Sequence, residues 1–484
     1  MRRSEEERIE SNSTLSDTKS DKQSVVPKDK LDPSTQVFDK KYGDQDVHYV
    51  DPPVKTSAWF TKPYALNYKI NGEIYRTKGP QRSAGKLELF LDLVYVGIGS
   101  TLAQSALKEP NGFSFMKYVI LFIPAITVWS DLKDFMNYYY NDDLVQKIYV
   151  CWIELLLIVY DNNCEKVELN RTALITTVIS YFLARITLAL MLWFYSIWVK
   201  QHRVQMRIYA TGLIITSSCW FFILLIKSIK GQCIFCLFMF LIEHTTFLIN
   251  INPWINAQLG LKYTSALNIE HEDARFQAFY SICIGQFVTT TVMQTPLSIG
   301  WNLKLHKGFS LLLIAFVFYG VYTHRDGCLK AVHALKRNAL CGYMYLYFHI
   351  ILIASMLLAG NAGATLATYE SIYISSPQEK ATLLFYHGGI LCILGCLTIL
   401  PLLDKNLDDR KEHKIPRFGR VGLRIPIGLL ILGLSWADKS LSILQMMWMD
   451  CAFLIILFIY EFTVMNPLNF KIPVDGKFVS VQQT

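Results

Sequence analysis

From residue 87 onward the chain alternates long apolar runs with short polar turns. The runs cover 87–107, 113–133, 145–161, 172–199, 207–227, 231–252, 275–298, 308–323, 338–360, 380–403, 421–437 and 441–465. Several approach the ~20 residues that cross about 30 Å of hydrocarbon. In lipid, a segment this long satisfies its backbone only as a helix. The pattern therefore predicts an all-α, polytopic transmembrane bundle of about twelve spans. Two runs, 308–323 and 421–437, are short, which widens the expectation to about ten to twelve.

The pattern also divides the chain. Residues 1–50 are dense in Ser, Lys, Asp and Glu, from Glu5-Glu6-Glu7 through Ser11, Ser13 and Ser16, and carry no apolar run. Such a stretch buries too little to order itself and reads as a disordered cytosolic tail. Residues 51–86 add Trp59, Phe60, Tyr64, Tyr68 and Tyr75 and read as a membrane-proximal segment. The bundle occupies 87–465, and 466–484 form a second cytosolic tail.

Composition agrees: 52% of the 484 residues are hydrophobic and 18% charged, against about 25% charged in soluble chains. Aromatic residues at 13% suit belts at the two bilayer interfaces. The net charge of +8 is spread over short loops rather than gathered into a basic domain, so the expected partner is the lipid bilayer and not nucleic acid. With the N-terminus in the cytosol, the inner loops hold the larger share of Lys and Arg, including Lys405, Arg410, Lys411, Lys414, Arg417, Arg420 and Arg424. That bias predicts cytosolic N- and C-termini. The 405–424 loop also offers a site for anionic lipid beside its anchoring role. The ending Val479-Ser480-Val481-Gln482-Gln483-Thr484 carries no retrieval signal, so the endoplasmic reticulum and the plasma membrane both stay open. The eleven cysteines are scattered and read as small hydrophobes. No metal-ligand pattern is expected, and the sequence leaves cofactors and oligomeric state unknown.

Ionisable residues within spans are expensive and tend to face the bundle interior. The first span holds Glu88 and Asp92, four apart on one helix face near its N-terminal end, where the helix dipole favours negative charge. The second ends in Trp129, Asp131, Asp134, Asn137, Tyr138, Asp142 and Asp143. Glu154, Arg185 and Glu243-His244 follow in the third, fourth and sixth. The seventh opens His271-Glu272-Asp273-Ala274-Arg275-Phe276, and His349, His387 and Asp450 lie further on. An unpaired mid-span arginine costs at least ~2.5 kcal/mol, so Arg185 should face a carboxylate, with Glu243 and Glu154 the candidates. Gly285, Gly360 and Gly388-Gly389 should allow close helix packing.

The opening Glu88-Leu89-Phe90-Leu91-Asp92-Leu93-Val94-Tyr95-Val96 resembles the first helix of the low temperature requirement A (LtrA) membrane proteins. Trp129…Asn137-Tyr138-Tyr139…Asp142-Asp143 is similar to the acidic pattern that follows that family's second helix. Arg185 and Glu243 match its fourth-helix arginine and an acidic position. His271…Arg275-Phe276…Phe279…Gly285 resembles its His-x-x-Glu-Arg-Phe-Gly block, and His349 its later histidine. The resemblance implies a polytopic bundle with a polar interior, and the long N-terminal extension resembles eukaryotic, particularly fungal, members. Three positions depart: Ala274 and Gln286 stand where the family has glutamate, and Gln277 where it has glycine. If those carboxylates carry protons or ions in the family, this chain lacks two of them. An internal echo, Glu88-Leu89-Phe90…Gly99 against Ala274-Arg275-Phe276…Gly285, raises the expectation of two parallel six-helix repeats.

Three functions follow from these residues. The first is a transporter or channel for an ion or small polar solute, proton-coupled, with a polar pathway of Glu88, Asp92, Glu154, Arg185, Glu243, His271, Arg275 and His349. The second is a membrane-embedded enzyme acting on lipid-linked substrates, using a cytosolic-face cluster of Asp131, Asp134, Asp142 and Asp143 with His271 and a divalent metal. Against it, no H-E-x-x-H or G-x-S-x-G pattern occurs. The third is a non-catalytic scaffold or biogenesis factor whose polar residues are structural.

Overall fold

Each apolar run becomes a helix. The computed structural model describes residues 41–42, 47–52, 59–70, 72–78, 85–293, 300–409, 412–466, 471–474 and 477–480; the expected disordered tail lies largely outside them. The helices are α1 (Lys86–Lys108), α2 (Gly112–Tyr139), α3 (Leu144–Cys164), α4 (Arg171–Tyr195), α5 (Arg203–Cys219, continued as a 3-10 turn over Trp220–Leu225) and α6 (Ile229–Ile251). They continue with α7 (Ile269–Met293), α8 (Leu303–His324), α9 (Ala339–Thr368), α10 (Pro377–Leu403), α11 (Arg424–Leu434) and α12 (Ile443–Val464). Polar side chains set their starts: Asn111 accepts from the N–H groups of Phe113 and Ser114, and Ser376 and Glu379 cap α10 reciprocally.

Among the described residues, nine helices are long and apolar enough to cross a membrane. The three others are instructive. Helices α3 and α7 are 21 and 25 residues long, enough for the distance, but internal residues such as Glu154, Glu272, Asp273 and Arg275 dilute their apolar character. Helix α11 has 11 residues and is too short alone.

Contacts between helix ends define two faces. On one, the start of α1 meets the end of α2 and the start of α7 through Asp92, Trp129 and Arg275. The start of α3 meets the end of α4 through Gln146 and Tyr195, and the start of α5 meets the end of α6 through Gln205 and Asn250. Arg424, at the start of α11, grips Glu461 near the end of α12. On the far face, Lys117 pairs with Glu168, Lys304 with Glu370 and Lys380 with Asp438. The chain thus alternates between faces, and the start of α1 and the end of α12 share one of them.

That shared face carries a sheet that the all-α expectation omits. Strand β1 (Val47–Val50) runs parallel to β3 (Glu73–Thr77), β3 is antiparallel to β2 (Asn67–Ile70), and β2 to β4 (Tyr263–Ser265). The cap therefore takes in Val47–Val50, the end of the stretch expected as a disordered tail, together with part of the aromatic segment 51–86, in which Tyr68 and Tyr75 stack at 5.5 Å between centroids. Its strands are too short to stand out against the helical signal. A hairpin also joins Lys471–Val474 to Lys477–Ser480 in the expected C-terminal tail.

Two of the four singled-out glycines sit at close helix crossings. A Cβ on Gly360 would lie 2.7 Å from Phe287 Cδ2 and 3.1 Å from its Cα, and one on Gly389 would lie 2.7 Å from Ala359 Cβ. Gly285 and Gly388 face open space. Gly360→Ala should therefore lower stability by about 1–3 kcal/mol, while Gly285→Ala, mid-helix and unobstructed, should lower it not at all. Unfolding of the purified protein in detergent reads the difference. The echo helices α1 and α7 do run parallel and touch, but Gly99 is pressed against Leu357 and Gly285 is not pressed against anything, so the two glycines have different work.

Candidate functional site

Helices α1, α2 and α7 build a buried polar network beneath the sheet. Asp92 and Arg275 pair through two hydrogen bonds, Nη2 to Oδ1 at 2.8 Å and Nη1 to Oδ2 at 2.9 Å, and Trp129 Nε1 donates to Asp92 Oδ1 at 2.8 Å. One turn nearer the face, Glu88 lies 3.2 Å from His271 Nε2 and accepts the Gly85 N–H at 2.7 Å. The spacing explains the register. Glu88 and Asp92 on one helix, and His271 and Arg275 on the other, are each four apart, so two parallel helices match them rung by rung.

Asn137 fixes the histidine's tautomer. Its Oδ1 accepts the Asn268 N–H at 3.0 Å, which turns its amide NH2 toward His271 Nδ1 at 3.1 Å. Nδ1 must then accept, and the proton sits on Nε2, facing Glu88. The network continues outward from Asn137 to Glu272 at 3.5 Å. Glu272 and Asp134 both engage the ammonium of Lys133, Asp134 at 3.1 Å, and that ammonium also lies 4.8 Å from the Phe276 ring centre. Two carboxylates thus share one buried cation. Asp134 and Glu272 line a cavity of about 600 Å³ on the sheet face, with Lys69, Gln205, Asn256 and Lys262.

A second network lies deeper, between α2, α4, α5 and α6. Arg185 pairs directly with Asp131, and Glu243 stands 4.0 Å away. Asp131 also accepts from Tyr209 Oη at 2.9 Å. Glu243 accepts from Tyr181 Oη at 2.7 Å and Trp220 Nε1 at 2.9 Å. The expected partners of Arg185 were Glu243 and Glu154; the direct one is Asp131. Glu154 stands apart on α3, buried, with Oε1 lacking a hydrogen-bond partner.

The remaining candidates disperse. His349 Nδ1 donates to the Tyr345 carbonyl at 2.8 Å, so Nε2 accepts from Tyr322 Oη at 3.2 Å, and the residue belongs to a cavity of about 160 Å³ with Asp273, Gln277, Arg325 and Tyr345. Asp143 caps α3 by accepting from Gln146 N and holds Thr61 N, both at 2.9 Å, whereas Asp142 is exposed beside Lys147. The four aspartates expected as one cytosolic-face cluster therefore do four different things. His387 bridges Ser435 Oγ at 2.7 Å and Asp450 at 3.0 Å, all fully buried. Among the described residues, no three His, Cys, Asp or Glu side chains converge as metal ligands.

Sequence reading missed Lys133, Glu272 and Asp273 as site residues. Glu272 and Asp273 were visible beside His271, but adjacent helix residues point to different faces, and only packing shows that Glu272 turns to Lys133 and Asp273 to Tyr345 (2.6 Å). Lys133 looked interfacial because it lies in the last two turns of α2.

The loop before α5 carries a pH-sensitive group. His202 is fully buried against Tyr139 Oη at 2.9 Å. Burial pulls its pKa from 6.5 to about 3, outweighing a hydrogen bond that the ring donates to the Asn67 backbone. A folded state that resists protonation loses stability as pH falls from 6.5 toward 3 and keeps it above 6.5. At pH 5 the loss should be about 2 kcal/mol, and His202→Gln should flatten the profile; denaturation from pH 7 to 5 tests it.

The profile of the family described as bacterial low temperature requirement A protein (LtrA) matches residues 83–459. The chain belongs to the LtrA family. No curated protein matches it. The match takes in all of α1 to α11 and most of α12, and with them both polar networks. Gln286 and Gln277, which the sequence resemblance marks as departures, both find partners: Gln286 Nε2 donates to Ser100 Oγ at 3.2 Å beside Asn361, and Gln277 donates to Asp273 at 2.7 Å.

Proposed function

We propose that this LtrA protein moves an ion or small polar solute across the membrane with coupling to protons. The observation that supports the reading is the shared lysine: Glu272 and Asp134 have one ammonium between them at the floor of the 600 Å³ cavity. Two carboxylates on one cation leave a negative charge that a proton or a small cation neutralises, and close carboxylates resist ionising together. The Asn137 amide donates to both Glu272 and His271, and His271 faces Glu88, so the charge state of Glu272 is felt at His271 and Glu88 through hydrogen bonds although the amide itself passes no proton. In this reading the sheet face is cytosolic, as the basic 405–424 loop favours, and the alternating chain crosses the bilayer twelve times. The N-terminal extension fits a eukaryotic, fungal-like member.

Purified protein in liposomes tests it. Wild type should show a proton or solute flux, and Glu272→Gln or Asp134→Asn should cut it at least about tenfold, the effect expected of a lost charged hydrogen bond. A wild type silent across a broad panel of ions and solutes would sink the reading.

A further inference from the structure

A groove of about 370 Å³ runs between α2, α6 and α9, within the range of small-molecule sites. Its lining extends along α2 from Phe115 to Asp131, sixteen residues or about 24 Å of helix. Most of that length is apolar, with Phe122, Ile126, Ile350 and Leu358 among the walls. Its polar end is made by Asp131, Arg185, Glu243 and His244. The shape is that of a tail slot with a head pocket.

The head pocket has definite chemistry. Asp131 and Glu243 share the single guanidinium of Arg185, so the pocket is one positive charge short. His244 has Nδ1 on the Phe240 carbonyl at 2.8 Å; Nδ1 therefore donates, and Nε2 of the neutral ring is left as an acceptor. Both features ask for an ammonium. A third asks for an oxygen: Arg185, 3% exposed, has an Nε–H with no hydrogen-bond partner. A buried donor of that kind is costly unless something accepts from it.

We propose that the groove binds a single-chain lipid with an amino-alcohol head. The ammonium sits on the excess charge of Asp131 and Glu243, a neighbouring hydroxyl oxygen accepts from Arg185 Nε–H, and the tail lies along α2 and α9. This site is separate from the Lys133 network and stands whether or not that network moves ions. A fatty acid is disfavoured because its carboxylate would add a second negative charge to the pocket. A short amino alcohol lacks the tail that supplies most of the burial.

Binding of three radiolabelled probes to protein in nanodiscs decides it: a long-chain 2-amino-1,3-diol, a fatty acid of equal chain length and a short-chain amino alcohol. The long-chain amino diol should saturate at one per chain and bind at least about tenfold tighter than either other probe. Glu243→Gln should weaken it by about tenfold or more. Ala354→Phe, which fills the tail slot without touching the head, should abolish binding while the thermal unfolding midpoint holds. Equal binding of the fatty acid, non-saturable uptake, or full affinity in both variants would overturn the proposal.

Discussion

Asp92→Asn should lower the unfolding free energy by about 3–5 kcal/mol, the cost of leaving a buried charge without its partner. Asp92 and Arg275 are both fully buried and bonded twice to each other. Neutralising the acid strands the guanidinium in a dry setting, where Trp129 at 5.8 Å offers only the face of its ring. Arg275→Gln should cost a similar amount by stranding the carboxylate. The double variant should cost much less than the sum, because neither orphan charge then remains, although Trp129 Nε1–H keeps a poorer acceptor. Denaturant unfolding of the four proteins gives the coupling. Additive losses would mean that the pair contributes nothing jointly.

Arg424→Met should be equally severe, and for a different reason. The Arg424 guanidinium bonds Glu461 at 2.6 and 2.8 Å, the Arg325 carbonyl at 2.6 Å, and the Leu397 carbonyl. One side chain thereby ties α11 to α12, to α10 and to the turn after α8. Its loss orphans a carboxylate and two carbonyls, so about 3–5 kcal/mol is again expected. Here Arg424→Met with Glu461→Leu should recover only part of the loss, because the carbonyls stay unpaired at about 1–3 kcal/mol each. A full recovery in unfolding measurements would show that water satisfies them. Flux separates the two pairs further. Arg424 lies away from the Lys133 network, so a folded Arg424 variant should keep transport that Glu272→Gln loses.

The helices were legible because lipid leaves apolar runs little choice, and each of the twelve runs overlaps one of α1 to α12, with ends that differ by up to eight residues and with 294–298 outside the described residues. The polar pairing was half legible. Glu88 and Asp92 announced a shared face, and the matching four-residue interval of His271 and Arg275 was equally plain, yet nothing local says that α1 lies beside α7. Arg185 demanded a carboxylate, but Asp131 was passed over because it sits toward the end of its helix, where charge is cheap. The sheet was invisible for another reason. β4 is three residues long, and its partner β2 precedes it by six helices, so neither carries a pattern of its own.

That sheet has a consequence for how the protein is made. β2 cannot complete its pairing until Tyr263–Ser265 has left the ribosome, roughly 190 residues later, or about 10–40 s at ordinary synthesis rates. Through that interval its outer edge, which β4 later covers, stays open to pairing with other chains. Closure of the cap thus waits on the first six helices: the amino-terminal segment completes its sheet only once they have been made and the polypeptide has returned to the face from which it set out.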